Sequence, residues 1–410
     1  MAKKIDSETV DSLASELVSV LNSKFTQNID KAAYFLSDPD LVADIKKWVP
    51  TGCDMLDLAI SNRPNAGWPV GRIIEITGLE ASGKSLLAAY ALKSTQQQGG
   101  LAIYIDTEAA TSREYLQAIG IDIEKMVYIP LEALEDIFDS IEATIAKVRK
   151  ANKDVLVTIV VDSIMGATTK KELEGEHGKD GYATEKAIVL SKAMRKITNM
   201  LARQNICLIL TNQLRVRMGV SFGDPYGTSG GKAVAFHSSV RIRLKSLGQI
   251  KMKLNGVDQV IGIKTRAIVQ KNRLGPPLKS VDYDIYFESG IDNYGSWLET
   301  LKTYKLATSG QYWSIPLSYS SVMEKDSKGK SIERTFNEEI VNPETGELKK
   351  TDGALKFRSK DFGKWMEANP KLKEFIYNMV CDRFIMTYKV NQDFGIDDIE
   401  IDEGFIGEDD

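Results

Sequence analysis

Eight consecutive residues, Gly78-Leu79-Glu80-Ala81-Ser82-Gly83-Lys84-Ser85, set two glycines around a small loop and end it in a lysine and a hydroxyl. Glycines at such places let the backbone curl around an anion with its N–H groups inward. The lysine then reaches the outer oxygens of a phosphate chain, and the serine hydroxyl ligates magnesium. The run follows the β-rich stretch Arg72 to Thr77 and opens a helical one at Lys84, the placement a phosphate-binding loop requires. Gly78, Glu80, Ala81, Ser82, Gly83, Lys84, Ser85 and Leu86 are therefore the candidate nucleotide-binding residues.

Two acids stand at the ends of further apolar runs. Asp162 closes Val157-Thr158-Ile159-Val160-Val161, where an aspartate holds a magnesium-bound water beside Ser85. Glu108 follows Ile103-Tyr104-Ile105-Asp106-Thr107 and is placed to orient and deprotonate the water that attacks the γ-phosphate; Asp106 is an alternative base by position. Asn212-Gln213 ends another run, and Gln213 can hydrogen-bond the γ-phosphate and report nucleotide state to the segment after it. ATP hydrolysis with Mg2+ held by Ser85 and Asp162 is the chemistry indicated.

That next segment, Arg215 to Gly231, contains Gly219, Gly223, Gly227, Gly230 and Gly231, the aromatics Phe222 and Tyr226, two arginines and no core-forming periodicity. A loop this long inside a compact domain is uncommon unless functional or disordered. Cations suit the phosphates of a nucleic-acid strand, and an aromatic suits its bases. Leu173 to Gly181 is a second glycine-bearing stretch of this kind.

Elements that position these groups follow from the patterning. Strands are predicted at Arg72 to Thr77, Leu101 to Asp106, Val127 to Ile129, Leu156 to Asp162 and Cys207 to Asn212. Helices are predicted at Lys84 to Gln97, Ser112 to Ala118, Leu134 to Lys150 and Thr184 to Gln204. Near-continuous apolar strands alternating with helices mean an α/β fold with a parallel sheet covered on both faces. Strands at Ser239 to Lys245, Lys264 to Lys271 and Val281 to Phe287 add an antiparallel extension. Ahead of this core, Val10, Leu13, Leu17, Val18 and Leu21 recur at helical spacing over residues 7 to 25, an amphipathic helix on an arm whose apolar face needs a partner. The expected domains are 1–50, a helical arm; 51–295, the nucleotide-binding core; 296–390, a small α/β domain with a hairpin insertion at 324–352 and paired helices around Asn369-Pro370; and 391–410, an acidic tail.

The chain has 410 residues, 43% hydrophobic and 27% charged, ordinary values for a folded protein of two or three domains. Cys53, Cys207 and Cys381 are far apart, and with only His177 and His237 besides they argue against a disulfide scaffold or a Cys/His metal site. The longest apolar stretch, Val155 to Ala167, contains Asp162 and falls short of the ~20 residues that span a bilayer, and the start lacks an apolar signal core. A cytoplasmic, reduced protein without a membrane partner is expected. Residues 391 to 410 hold nine acids and no Lys or Arg; removing nine negative charges from a net −4 leaves +5. The pI of 5.6 thus does not argue against nucleic acid.

Taken in order, these pieces resemble the RecA-type recombinases, the filament-forming ATPases of homologous recombination, phage members included. The resemblance rests on Gly71-Arg72-Ile73-Ile74-Glu75-Ile76 before the loop, Val161-Asp162-Ser163, Lys171-Glu172-Leu173-Glu174-Gly175-Glu176, Ala193-Met194-Arg195-Lys196, and Asn212-Gln213-Leu214-Arg215. It continues through Gly219-Val220-Ser221-Phe222-Gly223-Asp224-Pro225 to Thr228-Ser229-Gly230-Gly231, and matches run from about Thr51 to Gly310. The resemblance implies that the two glycine-bearing stretches are DNA-binding loops. Phe222 would be the inserted aromatic, with Arg195, Arg215, Arg217, Met218, Gly219, Val220, Gly230 and Gly231 along the DNA. It places Glu108 on the family's catalytic glutamate, Gln213 on its nucleotide sensor and Tyr115 on the aromatic that stacks on adenine. Lys271 and Arg273 fall on cations that cross to a neighbour's ATP, and the N-terminal helix resembles a polymerisation arm. Departures are the longer N-terminal segment, Ser112-Arg113 in place of an Asp-Pro near adenine, Arg273 in place of a lysine, and the insertion at 324–352.

The implied function is a DNA-dependent ATPase that forms helical filaments on single-stranded DNA, pairs it with homologous duplex and exchanges strands, assisted by single-strand-binding and mediator proteins. A hexameric DNA helicase shares the core fold and is the alternative. A regulatory module with a vestigial ATP site is a third reading, against which intact Lys84, Glu108 and Asp162 speak. The histidines read as loop and interface residues, Trp297, Trp313 and Trp365 as core of the C-terminal lid, and Cys207 as a buried strand residue. The tail is either a solubilising terminus or an electrostatic competitor of DNA.

Overall fold

A computed structural model describes residues 7–25, 31–39, 41, 44–109, 111–152, 154–175, 182–202, 204–216, 226–228, 232–350 and 353–388. The chain divides into two compact units, Met1–Lys46 and Lys47–Asp410. The first carries α1 (Ser7–Phe25), on which Val10, Leu13 and Leu17 are exposed as the spacing predicts.

The second unit begins with β1 (Trp48–Val49), α2 (Asp54–Ser61) and β2 (Trp68–Pro69). It continues through β3 (Ile73–Gly78), α3 (Lys84–Gln97), β4 (Leu101–Asp106), α4 (Arg113–Ala118), β5 (Met126–Pro130), α5 (Leu134–Ala151), β6 (Val157–Asp162), α6 (Lys170–Glu174) and α7 (Tyr182–Leu201). Then follow β7 (Ile206–Val216), β8 (Tyr226–Thr228), α8 (Ala233–His237), β9 (Val240–Leu254), β10 (Val257–Asn272), β11 (Ser280–Tyr286), β12 (Gly290–Ile291) and α9 (Asn293–Thr303). The strand order is β12-β11-β10-β9-β3-β7-β6-β4-β5, with β8 paired to β7. Strands from β9 through β5 run parallel, and β9 to β12 pair antiparallel. The fold is the α/β sheet with an antiparallel extension that the patterning predicts.

Successive strand residues feed opposite faces. Ile74, Val160 and Ile209 join a core with α2, α3 and the C-terminal helices, while Ile73, Val161 and Leu208 join a second core with α5 and α7. Each fully buried Ile or Val is worth about 1.5–3 kcal/mol, so clothing both faces is what stabilises this sheet. Covering helices bury the middle of the central strands, and at the ends of β4, β6 and β7 the polar residues Asp106, Asp162 and Gln213 collect.

β9 and β10 differ from expectation. They run to Leu254 and from Val257, well past the predicted Lys245 and Lys264, as a two-stranded ribbon. Asn255 and Gly256 turn it with φ of 51° and 82°, the two positive values a tight hairpin turn needs.

In the C-terminal part β13 (Trp313–Pro316) pairs with β18 (Ala354–Phe357). Between them lie two small hairpins rather than one: β14 (Ser318–Lys325) with β15 (Ser331–Thr335), and β16 (Ile340–Val341) with β17 (Leu348–Lys349). Helices α10 (Phe362–Ala368) and α11 (Pro370–Phe384) flank Asn369, whose amide exchanges hydrogen bonds with both backbone groups of Val341. Trp297 is buried against Tyr294, Phe362 and Tyr377, as lid core. Among the described residues no helix is long and apolar enough to cross a membrane.

Candidate nucleotide and DNA site

β3 ends in Gly78 and α3 starts at Lys84, so the loop between them hangs from a buried strand and points the first N–H groups of a helix across its mouth. Gly83 has φ +93°, and a side chain at Gly78 would collide with Ser82 Oγ and the Leu244 carbonyl. Ala81 also takes a left-handed φ, +55°. Ser82 Oγ and Lys84 Nζ both donate to the Leu79 carbonyl, at 2.8 and 2.7 Å. Burial holds the Lys84 ammonium below the usual lysine value, opposed by the charges of Asp162, Glu80 and Glu108. Those three acids thus sit within electrostatic reach of the lysine.

Ser85, Tyr104, Asp106, Glu108 and Asp162 line one cavity together with Ser112, Tyr115 and Leu116. Sheet register places the acids: Asp106 pairs with Asp162 across β4 and β6, and Gln213 pairs with Gly78 across β7 and β3. Tyr115, 38% exposed, stands on α4, whose N-cap Ser112 accepts the Tyr115 N–H and donates to Glu114. Glu108 is exposed and accepts a bond from Ser163 Oγ at 3.2 Å. Asp106 is 3% exposed and accepts from the N–H groups of Glu108 and Thr111 and from Tyr128 Oη. Burial raises its pKa, but these bonds outweigh burial and keep the carboxyl below its ordinary value. A carboxylate so occupied is a strut for the Glu108 backbone, whereas Glu108 keeps its acid toward the cavity. Asn212 parts from Gln213: its amide is buried on Glu75, which also pairs with Arg241 at 2.6 Å, while Gln213 is half-buried.

The donor set fits a magnesium-bound nucleoside triphosphate. A helix N-terminus and Lys84 would meet the anionic oxygens, and Ser85 with Asp162 offers hard oxygen ligands in one cavity. Among the described residues no group of three or more His, Cys, Asp or Glu could hold a metal alone. Magnesium does not need one, since it binds through one or two carboxylates plus phosphate.

Two residues that sequence reasoning passed over, Tyr104 and Thr211, contact Asp162. The Tyr104 hydroxyl donates to Oδ2 at 2.7 Å and the Thr211 hydroxyl to Oδ1 at 2.6 Å. Burial, with the adjacent Asp162 charge, pushes the Tyr104 phenol well above its ordinary value, so it stays a donor. Linear sequence holds no signal for this, because both partners come from neighbouring strands.

Lys271 and Arg273 lie at the opposite edge of the sheet. Lys271 pairs with Arg241, which is level with Glu75, and the Arg273 N–H bonds the Ser239 carbonyl, whose own N–H bonds Ile73. Both side chains cap α8: Lys271 donates to the carbonyls of Ala235 and Phe236, and Arg273 to Phe236. Burial lowers the His237 pKa, and Arg195, Arg273 and Lys271 lower it further, so these cations crowd one spot. Arg195, read from sequence with the DNA loops, is part of this group.

Arg215 is exposed near the end of β7, and β8 pairs back onto Leu214–Val216. β7 and β8 thus pair antiparallel at the nucleotide end of the sheet. Arg217, Met218, Gly219, Val220 and Phe222, and Gly230 and Gly231 beyond β8, lie outside the described residues, as does His177.

A doubly covered α/β sheet with a phosphate loop at the end of its central strand defines the class: a nucleotide-binding P-loop fold of the RecA-like kind. The family model for the RecA N-terminal domain matches residues 24–292. The chain is 37% identical over 267 residues to Protein RecA of Brucella anthropi, covering 65% of this chain and 70% of that protein. It is 37% identical over 280 residues to Protein RecA of Bartonella henselae, covering 68% and 76%, and 36% identical over 280 residues to that of Brucella canis, covering 68% and 73%. The chain belongs to the RecA family.

Proposed function

We propose that this chain is a DNA-dependent ATPase that polymerises on single-stranded DNA, pairs it with homologous duplex and exchanges the strands. One observation carries the reading: the phosphate loop and its acids occupy one edge of the sheet, and the cations Lys271 and Arg273 the other. Neighbouring subunits stacked edge to edge bring the two halves of a catalytic site together.

In this site Lys84 and the loop amides bind the β- and γ-phosphates, and Tyr115 supports the base. Ser85 and Asp162 would hold magnesium, which would neutralise charge on those phosphates. Glu108, steadied by Ser163, orients the attacking water and takes its proton. Gln213, level with Gly78, reads the γ-phosphate and relays its state along β7 to the loop after Arg215. Lys271 and Arg273 of one subunit stabilise charge on the nucleotide of the next. Arg215, Arg217, Met218, Gly219, Val220, Phe222, Gly230 and Gly231 hold the DNA. The ATP-bound assembly is the DNA-binding state, and hydrolysis releases it. The protein acts in the cytoplasm, served by single-strand-binding and mediator proteins.

The test is a strand-exchange reaction between circular single strands and homologous linear duplex, with electron microscopy of the same mixture. ATP-dependent joint molecules on helical filaments are expected. Rings that unwind duplex irrespective of homology would instead indicate the helicase.

A further inference from the structure

Asp162 ends β6 between two strands that each bring it a hydroxyl. Register puts all three side chains on one face: Asp106 is level with Asp162 and Tyr104 lies two residues before Asp106, while on the other side Leu210 is level with Val161 and Thr211 follows it. Each carboxylate oxygen therefore receives one hydrogen bond, from Tyr104 at 2.7 Å and from Thr211 at 2.6 Å. A carboxylate accepts at about four lone-pair sites, so one site on each oxygen stays open toward the cavity.

The Tyr104 ring is 3% exposed and stacks on Tyr128, with centroids 6.4 Å apart and planes 9° apart. Tyr128 in turn donates to Asp106 at 3.1 Å. A phenylalanine would fill the same space and keep the same stack. What the phenolic oxygen adds is a bond to Asp162 Oδ2, which with the Thr211 bond stops the carboxylate rotating about its Cβ–Cγ axis.

We propose that Tyr104, with Thr211 as its counterpart, is a positioning residue that fixes the plane of the Asp162 carboxylate before magnesium nucleotide arrives. The inference rests on the reading of Asp162 as the acid on the magnesium side. Partners of this kind, which hold a ligating group rather than the metal, are worth about 10- to 100-fold in metal affinity.

The test titrates Mg2+ into the full chain at a fixed level of a fluorescent, non-hydrolysable ATP analogue, for wild type, Asp162→Asn, Tyr104→Phe and Thr211→Val. Tyr104→Phe is expected to raise the Mg2+ half-saturation point by about 10-fold, with analogue affinity in EDTA unchanged and wild-type binding regained at saturating Mg2+. Thr211→Val should move the curve in the same direction. If Asp162→Asn moves the curve and Tyr104→Phe superimposes on wild type, the positioning role is overturned. A loss of affinity in EDTA as well would also overturn it, since that marks a packing defect. If Asp162→Asn leaves the curve in place, it is the assignment of Asp162 that fails. Should Tyr104→Phe not fold, Thr211→Val decides alone, and a superimposed curve counts against the proposal.

Discussion

The two ends of the central sheet gather different groups. β3 ends in Gly78 at the phosphate loop, and at the ends of β4 and β6 Asp106 and Asp162 line a cavity with Glu108 and Ser85. Toward the start of β3, Lys271, Arg273 and Arg195 gather around His237, and Arg72 is lowered in pKa by burial and by Arg273. Five strand rises, about 16 Å, separate Ile73 from Gly78, so Arg273, at the level of Ile73, cannot serve phosphates held beyond Gly78 in its own chain. Acids and phosphate loop at one end with these cations at the other are what the shared site proposed above requires.

The largest effects should come from the nucleotide edge. Lys84→Ala is expected to abolish hydrolysis, a loss of at least ~10³-fold, because Lys84 meets phosphate charge directly. Glu108→Gln should bind nucleotide normally and trap DNA-bound filaments, because Glu108 acts only on water. Phosphate release and nucleotide binding measured side by side separate the two, and equal loss of binding in both would undo the assignment. At the opposite edge, the double variant Lys271→Ala/Arg273→Ala should keep nucleotide binding by the monomer yet lose about 10²-fold of its DNA-stimulated turnover. Unimpaired cooperative turnover in that variant would place the whole site within one subunit.

A smaller effect is expected from the acidic tail. Truncation after Val390 removes all nine terminal acids and should strengthen duplex binding most at low salt, with added magnesium partly mimicking the deletion. Superimposed binding curves for the full and truncated chains across a salt series would leave the tail no electrostatic role. The smallest effect lies on the cationic side, in the turn after Arg273. Lys279 donates to Asn62 and to the Phe384 carbonyl, and burial lowers its pKa to about 8. Between about 8 and the ordinary lysine value the unfolded chain binds more protons here than the folded one, so this group adds stability as pH rises through that window. Lys279→Met should flatten the rise in melting temperature over that range, and an unchanged slope would assign the rise to other groups.

The phosphate loop, the strand-end acids and the parallel core were legible because each is written in contiguous residues. Gly78 to Ser85 sits between a strand and a helix, and Val157 to Asp162 has one composition that a doubly buried strand accepts. The β9–β10 ribbon was harder. Its signal is present in Asn255-Gly256 and in the alternation Ile250-Lys251-Met252-Lys253-Leu254, but Lys245 to Gln249 breaks that pattern and both strands are exposed here, so no buried face marks the ribbon. Tyr104 and Thr211 were illegible for another reason. Tyr104 reads as one more core residue of β4, and only the pairing of β4 with β6 brings its hydroxyl to Asp162. Asn212 and Gln213, adjacent in sequence, look like a pair until the strand turns one into the core toward Glu75.

Whether the nucleotide site is shared between subunits can be read from one mixing experiment. Lys84→Ala subunits keep the cations, and Lys271→Ala/Arg273→Ala subunits keep the phosphate loop, so each variant alone should release little phosphate on single-stranded DNA. Mixed in equal amounts, they form junctions in which an intact loop meets intact cations, and phosphate release well above the sum of the separate rates is expected. A mixture no more active than its parts, with both variants still assembling on DNA, would contradict the shared site.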